Sequence, residues 1–154
     1  MNANASLLGL SLAAGLLGAL CATPARAATA QNINLQGSAC RNYNASEALD
    51  IDYLTSGARN INASARSVIC PVARHPVTGP GQNFFVDGSN TSGSPVYCGL
   101  YAYDYNGTLL SSTSTTLPGY ASLPTVSYWG YVSVLCTLPG GGAAVVYGAS
   151  AIDN

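Results

Sequence analysis

From Val96 to Ala102 and again from Val132 to Cys136 apolar residues recur at every second position, the pattern of strands that bury one face. The clearest unit covers 94–116, where two β-prone runs flank Asn106-Gly107. Both residues of that pair tolerate positive φ, which suits a two-residue hairpin turn. Such a turn sets Tyr105 opposite Thr108, Tyr103 opposite Leu110 and Tyr101 opposite Ser112. A second long strand is predicted over 126–138, then a loop at Pro139 to Gly142 and a last strand near 143–152. Upstream, strand-like segments occupy 47–55, 59–62 and 67–72. The stretch 74–95, rich in Gly and Pro, reads as one long loop around a short strand at 84–86.

No helical periodicity follows the N-terminal apolar run, and 17 Gly with 8 Pro punctuate the chain at short intervals. Short strands at that spacing predict an all-β fold, an antiparallel β-sandwich of about seven strands or a related barrel. The domain expected to carry it is 28–154, preceded by a signal peptide over 1–27. Residues 7–22 are apolar and uncharged, and Ala25-Arg26-Ala27 fits the small-x-small pattern of a cleavage site, with Ala28-Thr29-Ala30 as an alternative. Met1 to Ser6 carry no Lys or Arg, a departure from the usual leader. The run is short for a membrane anchor, and Leu20 before Cys21 is too bulky for a lipoprotein signal.

Cysteine placement sharpens this picture. Outside the leader lie Cys40, Cys70, Cys98 and Cys136, which predicts two disulfides formed in an oxidising compartment, so the product is expected to be secreted or periplasmic. Three pairings are possible; the one favoured joins neighbours in sequence, Cys40 with Cys70 and Cys98 with Cys136. Half-cystines of a sandwich face its core, and this orients three strands through alternation. The inward sets are Val68, Cys70 and Val72; Val96, Cys98, Leu100 and Ala102; and Val126, Tyr128, Val132, Val134 and Cys136. The outward sets are Tyr97, Tyr101, Tyr103 and Tyr105, then Leu110, Ser112, Ser114 and Thr116, then Trp129 and Tyr131.

Charge excludes one class of partner. Removing 27 of the 154 residues leaves four arginines against six acids, no lysine, and no Lys or Arg after Arg74. Such a surface cannot neutralise a run of phosphates, so neither nucleic acid nor an anionic membrane is expected as a partner. An apolar fraction of 48% grouped into segments argues against disorder.

Catalytic signals are sparse. The single histidine, His75, sits between Arg74 and Pro76 in a predicted loop. There is no G-x-S-x-G, H-E-x-x-H or C-x-x-C, and pairing leaves no free thiol in the domain. Asp50 and Asp52 share a face if they lie in one strand, and paired acids serve Ca²⁺ sites and glycosidases; a solvated strand face is the simpler explanation. Asp87 to Asn90 reads as a turn, since it lacks the alternating acids of a calcium loop. Asn44, Asn62, Asn90 and Asn106 head glycosylation sequons that an Asn- and Ser-rich chain produces by chance. No catalytic residue, metal ligand or cofactor is assigned. The best binding candidates are the outward aromatics Tyr97, Tyr101, Tyr103, Trp129 and Tyr131, whose rings could stack on sugars or on another protein; Tyr is also simply a good strand residue.

The segments Arg59-Asn-Ile-Asn-Ala63, Ser67-Val-Ile-Cys-Pro-Val72 and Val96-Tyr-Cys98, with Tyr131 and Cys136-Thr-Leu-Pro139, resemble a group of small, uncharacterised secreted bacterial proteins. The resemblance implies export and two disulfides, and carries over no catalytic residue. The resulting expectation is an exported non-enzymatic sandwich, a structural or binding module of the envelope or extracellular space with a glycan or protein partner. The alternatives are a carbohydrate-binding module using the surface Tyr and Trp, and a small hydrolase built on Asp50, Asp52 and His75. Exposed strand edges permit oligomers, and the sequence leaves the oligomeric state open.

Overall fold

The structure is a computed structural model that describes residues 33–74 and 79–152. The leader expected at 1–27, Cys21 within it, and His75 lie outside the described residues. The described chain forms two antiparallel sheets packed face to face, as the alternation predicts. Eleven strands build them: β1 (Ile33–Gln36), β2 (Arg41–Asn42), β3 (Ile51–Leu54), β4 (Gly57–Asn60), β5 (Arg66–Val72), β6 (Gly79–Asn90), β7 (Tyr97–Tyr103), β8 (Leu109–Thr116), β9 (Gly119–Val126), β10 (Tyr131–Leu138) and β11 (Ala144–Ile152). The first sheet runs β3-β4-β11-β6-β9, with β1 also on β11, and the second runs β2-β5-β10-β7-β8.

The core lies between the sheets. Phe84, Val86, Leu123 and Val146 from the first meet Val68, Leu100, Val134 and Leu138 from the second, all fully buried. Each such side chain contributes about 1.5–3 kcal/mol by leaving water. Both disulfides lie on the inner face of the second sheet. Cys98 and Cys136 are direct ladder partners of β7 and β10, and Cys40 pairs with Cys70 where β2 meets β5. All four half-cystines are buried, so the rule that oriented the strands holds.

One side of the sandwich is sewn shut by hydroxyls. The Ser111 hydroxyl donates to the Thr125 carbonyl (2.5 Å) and that of Thr115 to the Tyr120 carbonyl (3.0 Å). These bonds satisfy polar groups where the edge strands β8 and β9 abut, in place of a continuous ladder.

Several expectations need correction. The strand expected over 126–138 is two elements: Val126 ends β9 in one sheet, and β10 opens at Tyr131 in the other. Between them the Gly130 N–H bonds the Ser127 carbonyl, closing a turn that exposes Tyr128 instead of burying it. The hairpin loop is longer than two residues. Asp104 Oδ1 accepts the N–H groups of Asn106 and Thr108, Gly107 takes φ 84°, and the ladder slips after Ala102↔Ser111 so that Tyr103 faces Leu109. An aspartate that caps its own turn favours this wider loop with a bulge. The supposed loop at 74–95 contains β6, the longest strand, with Asp87 inside it and not in a turn. The strand is held by β9 along its first part, Gly79 to Val86, and by β11 along its second, Asn83 to Asn90, with both neighbours present only at 83–86. The segment at 47–55 begins as a 3₁₀ turn, Ala45–Glu47, and becomes a strand only at Ile51. Strands β1, β2 and β9 add to the eight segments read from the sequence, so the described residues hold eleven strands.

Candidate functional site

The outer face of the second sheet follows from its inner one. Because Cys98, Leu100 and Ala102 point inward, Tyr97, Gly99, Tyr101 and Tyr103 point out from β7. Because Val132, Val134 and Cys136 point inward, Tyr131 and Ser133 point out from β10, Tyr131 beside Tyr103 and Ser133 beside Tyr101. Strand β8 adds Ser112, Ser114 and Thr116, opposite Tyr101, Gly99 and Tyr97 respectively. Four tyrosines therefore share one face with a flank of hydroxyls. Tyr97 is 63% exposed and Tyr131 66%, while Tyr101 and Tyr103 are half-buried.

Gly99 explains the half-burial of Tyr101. A Cβ on Gly99 would stand 2.8 Å from Tyr101 Cε2 and 3.0 Å from Cζ, so the outer edge of that ring occupies the space over the glycine. Trp129 is 71% exposed, in the turn that delivers the chain into β10, and its ring meets Tyr128 edge-on at 4.7 Å. Arg74 holds that turn from beneath: its guanidinium donates to the carbonyls of Ser127 and Gly130. Burial of Arg74 pulls its pKa below the ordinary arginine value.

The face continues into a groove of about 950 Å³ whose lining includes Leu35, Arg41, Ile69, Pro71, Tyr131 and Ser133. It exists because β2 is two residues long, pairing only with Val68 and Ile69, while the preceding chain turns away through the 3₁₀ turn Gly37–Ala39. The sequence reading singled out Tyr131 but missed Arg41, Ile69 and Pro71. A signal was available, since each neighbours an inward half-cystine, Cys40 or Cys70, and so must face outward.

The acidic pair of the hydrolase reading is taken up in structure. Asp52 binds Arg59 (2.7 Å), and Asp50 binds Arg66 (2.6 Å) and accepts from Asn62 (2.9 Å). The Arg66 hydrogen bond, then that of Asn62, holds the Asp50 carboxyl below the usual carboxylate range, against the opposing effect of burial. Each carboxylate serves its own arginine. Among the described residues no group of three His, Cys, Asp or Glu is placed to hold a metal ion.

No family model matches the sequence, and no curated protein does. Among solved structures the chain is similar to a xylan-binding module, CBM15, with 13% identity and a TM-score of 0.43 over 80% of this chain and 96% of that one. It is also similar to the CBM36-1 domain of a multidomain xylanase from the hindgut metagenome of Trinervitermes trinervoides, with 9% identity and a TM-score of 0.43 over 80% and 98%. A third is TmCBM61, solved in complex with β-1,4-galactotriose, at 13% identity and a TM-score of 0.35 over 82% and 85%. The likeness is one of strand layout.

Proposed function

We propose that the protein is an exported, non-enzymatic β-sandwich module that holds a carbohydrate chain on the outer face of its second sheet. The observation that carries this reading is the sharing of that face by Tyr97, Tyr101, Tyr103 and Tyr131. Sugar rings present apolar C–H faces that stack on aromatic planes, and their hydroxyls need donors and acceptors at the margin. Ser112, Ser114, Thr116 and Ser133 supply them. Alternate residues on a strand stand about 6.7 Å apart, so Tyr101 and Tyr103 follow one another at a spacing suited to successive parts of an extended chain. An open sheet face suits a polymer better than a single small molecule, which would need an enclosing pocket. Export is supported by the two buried disulfides, which persist in an oxidising compartment.

The test is binding to a glycan array and to insoluble polysaccharides, using the full mature chain. Replacing Tyr101, Tyr131 or Trp129 by Ala should each weaken binding by about tenfold, or ~1.4 kcal/mol. Tyr147→Ala, an exposed tyrosine on the first sheet, should leave it unchanged. Absence of any glycan binding, or equal loss in Tyr147→Ala, overturns the reading.

A further inference from the structure

The arginines of the described chain differ in what they hold. Arg59 is engaged by Asp52, Arg66 by Asp50, and Arg74 by the carbonyls of the turn at 127–130. Arg41 is exposed on the outer side of β2, opposite Ile69, and meets no hydrogen-bond partner or carboxylate among the described residues. It stands on the groove, and among the described residues no Asp or Glu lines that groove. A guanidinium with five donors and no acid in reach is a site for a carboxylate brought by something else.

The place of that cation selects the ligand. From Arg41 the outer row runs through Ile69 and Leu135 to Gly99 and the Tyr101 ring, one strand spacing of about 4.8 Å at each step. Tyr131 and Ser133 line the groove and also belong to the tyrosine face, so the two surfaces are continuous. The protein as a whole carries a formal net charge of −1, which gives no long-range attraction for a polyanion. Any carboxylate must therefore be recognised locally; Arg41 and Arg74 both line the groove, and the Arg74 guanidinium already donates to the carbonyls of Ser127 and Gly130.

We propose that the groove receives a uronic acid residue of the bound glycan, its carboxylate paired with the Arg41 guanidinium while neighbouring sugars lie on Tyr131 and Tyr101. This rests on the carbohydrate reading and names its ligand class: acidic polysaccharides. The bidentate geometry of arginine and carboxylate makes the contact directional as well as charged.

The experiment measures binding of the mature chain to polygalacturonate, alginate and glucuronoxylan, each against its carboxyl-reduced counterpart, by affinity electrophoresis and calorimetry. At least one acidic polymer should bind about tenfold more tightly than its reduced partner, as a hydrogen bond to a charged group allows. Arg41→Gln should abolish that difference while leaving the affinity for the reduced polymer and the melting temperature unchanged. Tyr131→Ala should weaken both members of the pair. Raising the salt to about 1 M, where the Debye length is about 3 Å, should narrow the gap. Equal affinity within every pair, or a preference that survives Arg41→Gln, overturns the uronate inference and leaves the carbohydrate reading standing. Failure of every polymer and of the glycan array overturns both.

Discussion

The ring edge of Tyr101 lies over Gly99, two residues back along the same strand, with the tyrosine hydroxyl 2.7 Å from where a glycine Cβ would stand. The absence of a side chain at Gly99 thus becomes a seat for an aromatic ring, between Tyr97 and Tyr101 on the outer face. A methyl group there would displace the end of a flexible side chain and leave the backbone in place.

Gly99→Ala should therefore separate binding from stability. The domain should fold with a stability change within about 1 kcal/mol, because only the ring has to move. Glycan affinity should fall several-fold, toward that of Tyr101→Ala. Thermal melts and calorimetry on both variants check this. Unchanged binding in Gly99→Ala would show that the seated position of the ring is irrelevant.

Two asparagines perform one job at different depths. Asn60 and Asn90 each end a strand of the first sheet and start the crossing to the second, accepting an N–H two residues on and donating to a carbonyl four residues on, that of Ser64 or Ser94. Asn60 is fully buried and also donates to the carbonyls of Leu138 and Pro139, at 3.1 Å each. Asn60→Ala should cost about 3 kcal/mol, since buried carbonyls lose their donor, and Asn90→Ala about 1 kcal/mol. Asn60→Asp should be worse than Ala at neutral pH, placing a carboxylate against those oxygens. Urea denaturation curves give all three values.

The disulfides span separations of 30 and 38 residues. In the chain-entropy account each stabilises the domain by about 4 kcal/mol, an amount comparable to the whole stability of many small domains. Replacing Cys98 and Cys136 together by Ala removes a tie inside the central strand pair. Replacing Cys40 and Cys70 frees only the two-residue β2. The first double variant should lose more cooperativity in thermal melts. The second should perturb the groove, lowering affinity for acidic polymers more than for their reduced forms.

Acid should weaken the contact between Asp50 and Arg66. The folded carboxyl titrates below its unfolded value of about 3.9, so its contribution is fully present above that pH. It fades as pH falls through the lower, folded value. Asp50→Asn should lower the urea midpoint at pH 7 and flatten its decline on acidification below about pH 4. An acid limb of identical slope in both proteins would assign the decline to other carboxylates.

Much of the fold was written locally. The alternation about Cys70, Cys98 and Cys136 oriented β5, β7 and β10 correctly, because a strand buried on one face must repeat every two residues whatever its partners. Tyr97, Tyr101 and Tyr131 were placed on the outer face by the same rule. Local signals failed where a neighbour decided the outcome. Gly81 and Gly88 look like loop residues but sit in β6, a strand that β9 pairs along its first part and β11 along its second. The run from Val126 to Leu138 looks like one strand, but Arg74, more than fifty residues away, fastens the turn that splits it.

The amino-acid order alone determined the β class and which residues of each central strand face water, since burial of apolar side chains against a pleated backbone leaves no other periodicity. Only the assembled sheets decided that β2 stops after two residues, that a groove opens beside it, and that Arg41 stands there with no acid among the described residues that line it. Those properties depend on distances between segments remote in sequence, and no local pattern encodes them.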